Sequence, residues 1–98
     1  MNSYGACATE KKVFVGRLIN YFAKAKVAQA EILAGAVKPG EKLLVTGPTT
    51  GAVYAEPECL MDDAGPVEEA VKRMTVTFKV LETVRAGDKL YRLDRVER

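Results

Sequence analysis

Histidine and tryptophan are both absent from this sequence of 98 residues. Without histidine, no serine or cysteine nucleophile can be paired with an imidazole base. The two cysteines, Cys7 and Cys59, lack the CxxC spacing and cannot supply the four ligands that a structural zinc needs. The sequence therefore predicts a protein that is not an enzyme and that holds no cofactor and no metal.

The two cysteines carry little further information. We expect Cys59 to pack as a small apolar side chain, because free cysteine is commonly buried. A disulfide between Cys7 and Cys59 is the alternative, although a reducing compartment disfavours it.

Long hydrophobic runs and a strong charge of one sign are also missing. No apolar run approaches the ~20 residues that cross a bilayer, so we expect no membrane partner. The net charge is only +2, whereas proteins that bind nucleic acid by phosphate contacts alone are usually more basic. Residues 1–10 have neither the basic start nor the apolar core of a secretory signal. We expect a flexible tail at 1–10, a single β-barrel domain at 11–98 and a cytoplasmic location.

A seven-residue element occurs twice. Val37-Lys38-Pro39-Gly40-Glu41-Lys42-Leu43 recurs as Val84-Arg85-Ala86-Gly87-Asp88-Lys89-Leu90. Each copy reads valine, base, any residue, glycine, acid, lysine, leucine, and each leads into an apolar stretch. This pattern predicts a tight turn followed by a strand, with Gly40 and Gly87 in equivalent positions at positive φ.

Strand patterns account for most of the chain. We expect strands at 12–22, 27–33, 43–47, 52–61, 73–80 and 88–95, joined by short turns rich in glycine and proline. In the first of these, both parities carry apolar side chains, so its inward face is ambiguous; Gly16 indicates a bulge or a close backbone contact. A helix competes with a strand in the alanine-rich stretch 23–36, and residues 67–71 could form one helical turn. Six short strands predict an all-β sandwich or barrel, and a barrel removes exposed strand edges.

The clearest alternation runs from Arg73 to Val80. The even-numbered side chains of this stretch are apolar and the odd-numbered ones are polar or charged. We therefore expect Met74, Val76, Phe78 and Val80 to point into the core.

Several segments together resemble known proteins over about four-fifths of the chain. The matching segments are Val15-Gly16-Arg17, Asn20-Tyr21-Phe22, Val27 to Ile32, both copies of the repeated element, Gly47-Pro48-Thr49-Thr50 and Pro66 to Ala70. They resemble the β-barrel called domain two of translational GTPases such as elongation factor Tu. They are also similar to small translation elongation factor-like proteins and to the C-terminal barrel of collagenase-like peptidase-family proteins. The sequence departs from the pattern of these proteins around residues 51–63.

The resemblance implies a fold and a class of function. The implied fold is a six-stranded antiparallel Greek-key barrel similar to domain two of translation factors. The implied function is a non-enzymatic binding module facing RNA or the ribosome. The alternative is a protein-interaction module that docks on a larger partner, a collagenase-like peptidase-family enzyme. No catalytic residues come with the resemblance, and no GxxxxGK[ST] segment is present to hold phosphates.

Basic residues interleaved with aromatic ones provide the candidate RNA-binding site. We predict that Arg17, Tyr21, Lys24 and Lys26 contact RNA through phosphate attraction and base stacking. The alternative is an ordinary solvated barrel surface with Tyr21 or Phe22 in the core. A second basic group, Arg85 to Arg98, is interleaved with acids that weaken its field.

An apolar patch would favour a protein partner instead. Leu44 and Tyr54 lie on faces that we expect to be outward, and clustering of the two would mark a protein interface or a dimer.

Overall fold

The computed structural model describes residues 9–96, with side chains described from Lys11 to Asp94. This part of the chain contains strands and turns and no helix. The strands are β1 (Thr9–Phe22), β2 (Val27–Ile32), β3 (Ala36–Val37), β4 (Leu43–Gly47), β5 (Gly51–Ala55), β6 (Leu60–Asp62), β7 (Gly65–Val67), β8 (Ala70–Val71), β9 (Thr75–Lys79) and β10 (Lys89–Val96). The predicted tail at 1–10 lies outside the described residues except for Thr9 and Glu10, which begin β1.

The strands form an antiparallel sheet of eight strands and a separate two-stranded ladder. The order in the large sheet is β5-β4-β10-β1-β2-β9-β6-β7, and β3 pairs with β8. The prediction of an all-β, antiparallel fold is confirmed. The closed six-stranded barrel is not observed, because no ladder within residues 9–96 joins the edge strands β5 and β7. The predicted fourth strand, 52–61, is divided between β5 and β6, because Pro57 lies in an unpaired connection between them.

Two bulges in β1 explain why its inward face could not be read from the sequence. The register shifts between Phe14 and Gly16 against β10, and again between Leu18 and Asn20 against β2. Each bulge adds one residue and reverses the parity of the side chains that follow. Gly16 packs so closely on Glu31 of β2 that a Cβ atom would overlap the carbonyl oxygen of Glu31.

The core lies on one face of the large sheet. Its residues come from nearly every strand and include Val15, Leu18, Ala28, Ala30, Ile32, Leu43, Val45, Val53, Leu60, Val76, Phe78 and Leu90. The predicted core set of β9 is confirmed: Val76, Phe78 and Val80 are buried, and Met74 is partly buried against them. The predicted strand in the alanine-rich stretch is also confirmed: it forms β2, and the side chains of Ala28 and Ala30 are buried in the core.

The structure differs from the predictions for Cys59 and for residues 67–71. Cys59 is exposed, so the prediction that it packs in the core is wrong; it follows Pro57 and Glu58 in a connection that runs along the surface. Residues 67–71 contain β8 and the end of β7 in place of a helical turn, since Val37 and Ala70 pair across a ladder.

In the described part of the chain, no helix is long and apolar enough to cross a membrane. The cytoplasmic location stays a prediction.

The repeated element forms the same turn twice. Gly40 has φ 89° and Gly87 has φ 92°, which confirms the prediction of positive φ at both positions. In each copy the backbone N–H of the acid donates to the carbonyl of the base, Glu41 to Lys38 and Asp88 to Arg85, both at 3.2 Å. This geometry is that of a type II turn with glycine in the third position.

Candidate interaction surface

The predicted RNA-binding residues lie in two separate places. Arg17 is exposed near the middle of β1, in register with Lys89 on one side and Glu31 on the other. Lys24 and Lys26 lie in the turn that joins β1 to β2. The five strand residues between Arg17 and the end of β1 separate them from Arg17 by roughly 16 Å. Tyr21 is partly buried against the core, as the alternative interpretation expected, so its ring is not fully available for stacking.

The second basic group is partly occupied by internal contacts. The Arg92 guanidinium pairs with the Asp94 carboxylate at 2.7 Å and also donates to the carbonyl of Ala36. The hydrogen bond from Arg92 holds the pKa of the Asp94 carboxyl below its ordinary value, and partial desolvation opposes this shift. The pKa of Arg92 is raised by the same hydrogen bond, by the charge of Asp94 and by the charge of Glu41. The side chains of Arg95 and Arg98 lie outside the described residues.

An apolar row crosses the outer face of the large sheet. Phe14 is in register with Tyr91, Tyr91 with Leu44, and Leu44 with Tyr54, on the four neighbouring strands β1, β10, β4 and β5. None of the four belongs to the core cluster, although Leu44 is only 7% exposed between its two tyrosine neighbours. Phe14 is 40% exposed and Tyr54 is 59% exposed. We call these four residues the aromatic row.

The rings of the aromatic row are held in a defined arrangement. Phe14 and Tyr91 meet edge to face, with ring centroids 5.7 Å apart and an interplanar angle of 72°. The Lys12 ammonium nitrogen lies 4.6 Å from the centroid of the Tyr91 ring, within the range of a cation–π interaction. The next row on the same face contains Arg17 and Lys89. Basic side chains therefore flank the aromatic row on both sides along β1.

A groove of about 820 Å³ lies next to the aromatic row and shares Tyr54 with it. It runs between the end of β5 and the end of β9, along the connection between β5 and β6. Its lining is Lys42, Tyr54, Ala55, Glu56, Pro57, Glu58, Cys59, Lys79, Val80 and Leu81. Leu81 is 84% exposed at this groove. We call it the seam groove, because it lies beside the edge strand β5, where the predicted barrel does not close.

Sequence reasoning found half of the aromatic row. Leu44 and Tyr54 were expected to face outward, and the structure brings them together as direct cross-strand neighbours. Phe14 and Tyr91 were missed. Alternation along β10 could have indicated Tyr91, whereas the outward direction of Phe14 depends on the bulge that follows it. Among the described residues, no group of three or more acidic or cysteine side chains is placed to hold a metal ion.

Comparisons with known proteins link the chain to peptidases. The sequence matches no protein-family model. It is 40% identical over 94 residues to a protein named collagenase from Porphyromonas gingivalis strain W83, covering 96% of this chain and 23% of that protein. It is 33% identical over 89 residues to an uncharacterized protease from Methanocaldococcus jannaschii, covering 91% of this chain and 22% of that protein. The chain thus spans about a quarter of the length of the curated relatives it matches.

Solved structures agree on the fold. The C-terminal domain of a Geobacillus thermoleovorans protein assigned to the U32 peptidases superposes with a TM-score of 0.76 at 20% identity, covering 82% of this chain and 91% of that one. The selenomethionine variant of the same domain superposes with a TM-score of 0.73, also at 20% identity, and covers 79% of this chain and 95% of that one. At this level of identity the likeness shows the fold, and the fold is that of a complete solved domain.

These matches correct the leading interpretation of function. The interpretation as a translation-factor barrel facing RNA or the ribosome is wrong, because the relatives are a collagenase and a protease over nearly the whole chain. The collagenase-like part of the resemblance is the part that the relatives support. The alternative, a module associated with a larger peptidase-family protein, is therefore favoured.

Proposed function

We propose that this chain is a non-catalytic module that docks on the peptidase-bearing part of a collagenase-like protein. The observation that carries the proposal is the unequal coverage of the match, which takes in 96% of this chain but only 23% of the Porphyromonas gingivalis collagenase. Roughly three quarters of that relative lies outside the matched segment. This unmatched part of the relative is long enough to contain a peptidase active site.

The chemistry of the chain supports a non-catalytic role. With no histidine, any general base or nucleophile would have to be a carboxylate, a thiol, a hydroxyl or a lysine. Two of the acids, Asp62 and Asp88, already accept hydrogen bonds in turns. Asp62 accepts the N–H groups of Ala64 and Gly65, and Asp88 accepts the N–H of Arg85 and the hydroxyl of Thr50. The proposal therefore assigns cleavage of collagen or a related polypeptide to the part of such a protein that this chain lacks.

The test uses an intact chimera. The matched segment of the Porphyromonas gingivalis collagenase is replaced by this chain, and thermal unfolding of the chimera is compared with that of the isolated 98-residue chain. Docking predicts a higher unfolding temperature for the module inside the chimera, because a partner that binds only the folded form stabilises it. An unchanged unfolding temperature contradicts the docking role.

A second measurement addresses catalysis. The isolated chain is incubated with denatured collagen, with the chimera as the positive control. We expect cleavage by the chimera and none by the isolated chain. Cleavage by the isolated chain would assign the activity to these 98 residues and refute the non-catalytic role.

A further inference from the structure

We propose that the aromatic row, Phe14, Tyr91, Leu44 and Tyr54, is the face by which this module docks on the peptidase-bearing part of the protein. The inference rests on the proposed function and assigns it to one surface. The partner that it requires is a protein surface with an apolar recess flanked by carboxylates.

The aromatic row is apolar on a face of the sheet that is usually polar. The solvent face of an antiparallel sheet usually carries polar side chains opposite its buried face. Here four neighbouring strands each place an apolar or aromatic side chain at the same level of that face. Leu44 is only 7% exposed, so the surface that the row offers to a partner comes from Phe14, Tyr91 and Tyr54.

The aromatic row is also held rigidly by the sheet. The four residues stand on hydrogen-bonded strands, and Phe14 and Tyr91 already pack against each other in the isolated module. Side chains held in place before binding lose less conformational entropy when a partner covers them. Tyrosine, which the row contains twice, is also enriched among the residues that dominate binding energy at protein interfaces.

The charges around the row indicate the chemistry of the partner. Lys12 lies on one side, over the Tyr91 ring, while Arg17 and Lys89 lie on the other side. Two acidic side chains also border the row: Glu31 is the register neighbour of Arg17 on β2, and the exposed Glu56 follows Tyr54 by two residues. The basic side chains are thus concentrated at the Phe14 and Tyr91 end of the row, and that end fits a partner surface with an apolar centre flanked by carboxylates.

The length of the relatives indicates which partner covers the aromatic row. In the collagenase and the protease, about three quarters of the chain is joined covalently to the matched segment. A covalently joined partner acts at a high effective concentration, on the order of millimolar for a short flexible linker. That partner therefore competes well against a second copy of the module for the exposed apolar face.

The experiment places one change in the row and a matched change outside it. Tyr54→Lys is introduced into the chimera described above, and Leu81→Lys at the seam groove is the control; both side chains are exposed, 59% and 84% respectively. In the isolated chain, each variant should keep its unfolding temperature within about 3 °C, as expected for surface substitutions. In the chimera, Tyr54→Lys should abolish the stabilisation of the module, and Leu81→Lys should preserve it.

Photo-crosslinking gives a readout that does not depend on how well the lysine variant folds. Phe14→p-benzoylphenylalanine keeps an aromatic side chain at the end of the row away from the seam groove, whereas Tyr54 belongs to both surfaces; Leu81→p-benzoylphenylalanine is the control. The expected product is an intramolecular crosslink from position 14 to the peptidase-bearing part, with none from position 81.

Each contrary outcome has its own meaning. If the wild-type chimera shows neither stabilisation nor a crosslink, the proposed function itself fails. If stabilisation persists in Tyr54→Lys, the aromatic row is not the docking face. If the crosslinks come from position 81 and not from position 14, the module docks through the seam groove, which Tyr54 also lines, and the inference is likewise overturned. Crosslinks between two copies of the chain would show that a second module covers the row, which also overturns the inference.

Discussion

The two copies of the repeated turn have the same backbone and different surroundings. In both, the carboxylate of the acid accepts the N–H of the base, from Lys38 to Glu41 at 2.6 Å and from Arg85 to Asp88 at 3.0 Å. Glu41 remains partly exposed, whereas Asp88 is only 4% exposed. The local sequence therefore specifies the backbone of the turn, and the neighbouring strands decide how deeply the acid of the turn is buried.

The two turns are hydrogen-bonded to different parts of the structure. The N–H of Gly40 donates to the carbonyl of Pro57 at 2.8 Å, which ties the first turn to the connection along the seam groove. The N–H of Gly87 donates to the carbonyl of Leu18 at 2.7 Å, which ties the second turn to the central strand β1. Asp88 also accepts the hydroxyl of Thr50 from the hairpin between β4 and β5. The second turn thus joins three parts of the sheet.

The largest difference is expected from removing each acid. Asp88→Ala should lower the free energy of unfolding by about 2–4 kcal/mol, because it removes a buried carboxylate and leaves the partly buried N–H of Arg85 and hydroxyl of Thr50 without their acceptor. Glu41→Ala should cost only about 0.5–1 kcal/mol, because water can replace its carboxylate. Urea unfolding of both variants measures the two values, and equal losses would contradict the distinction.

Packing against the second turn can be tested at Gly47. A Cβ atom at this position would overlap the Asp88 carboxylate. Gly47→Ala should therefore destabilise the protein by about 1–3 kcal/mol, in the range of overpacked sites. Asp88→Ala removes the obstructing carboxylate, so the two substitutions should be less than additive in a double-mutant cycle. Strict additivity would show that the two positions do not conflict.

The shared backbone predicts a shared effect at the two glycines. No atom lies within 4 Å of a Cβ built at either Gly40 or Gly87, so the cost of alanine there is the strain of positive φ alone. Gly40→Ala and Gly87→Ala should each cost about 1–2 kcal/mol. Gly→Asn at the same positions should cost less, because asparagine tolerates this conformation better. A difference above about 1 kcal/mol between the two alanine variants would indicate that the turns are not equivalent.

The smallest effect is expected at the ion pair beside the first turn. Because the pKa of Asp94 is lowered in the folded protein, its contribution is present above the ordinary carboxyl pKa and is lost as the pH falls through the folded value. The pair is partly exposed to solvent, so Asp94→Asn should change stability by less than about 1 kcal/mol at neutral pH. The variant and the wild type should converge at acid pH and at high salt. A gap that widens with acidification would reverse the assigned sign.

The clearest sequence predictions come from local patterns. In β9 the alternation is unbroken, so a period of two was enough to place Val76 and Phe78 in the core. The turn glycines were predictable because a positive φ excludes most other residues. The candidate site was only half predictable, since Leu44 and Tyr54 lie in regular strands while Phe14 precedes a bulge.

Features that depend on neighbours along the chain could be read from the sequence: the all-β class, the alternation of β9 and the two turns at Gly40 and Gly87. Features that depend on which strands meet became visible only in the folded structure. These are the bulges of β1, the burial of Asp88 against Gly47 and Thr50, the exposure of Cys59, and the alignment of four separate strands into the aromatic row. The physical reason is that backbone dihedral preferences act within a few residues, whereas register and burial are set by contacts between strands far apart in sequence.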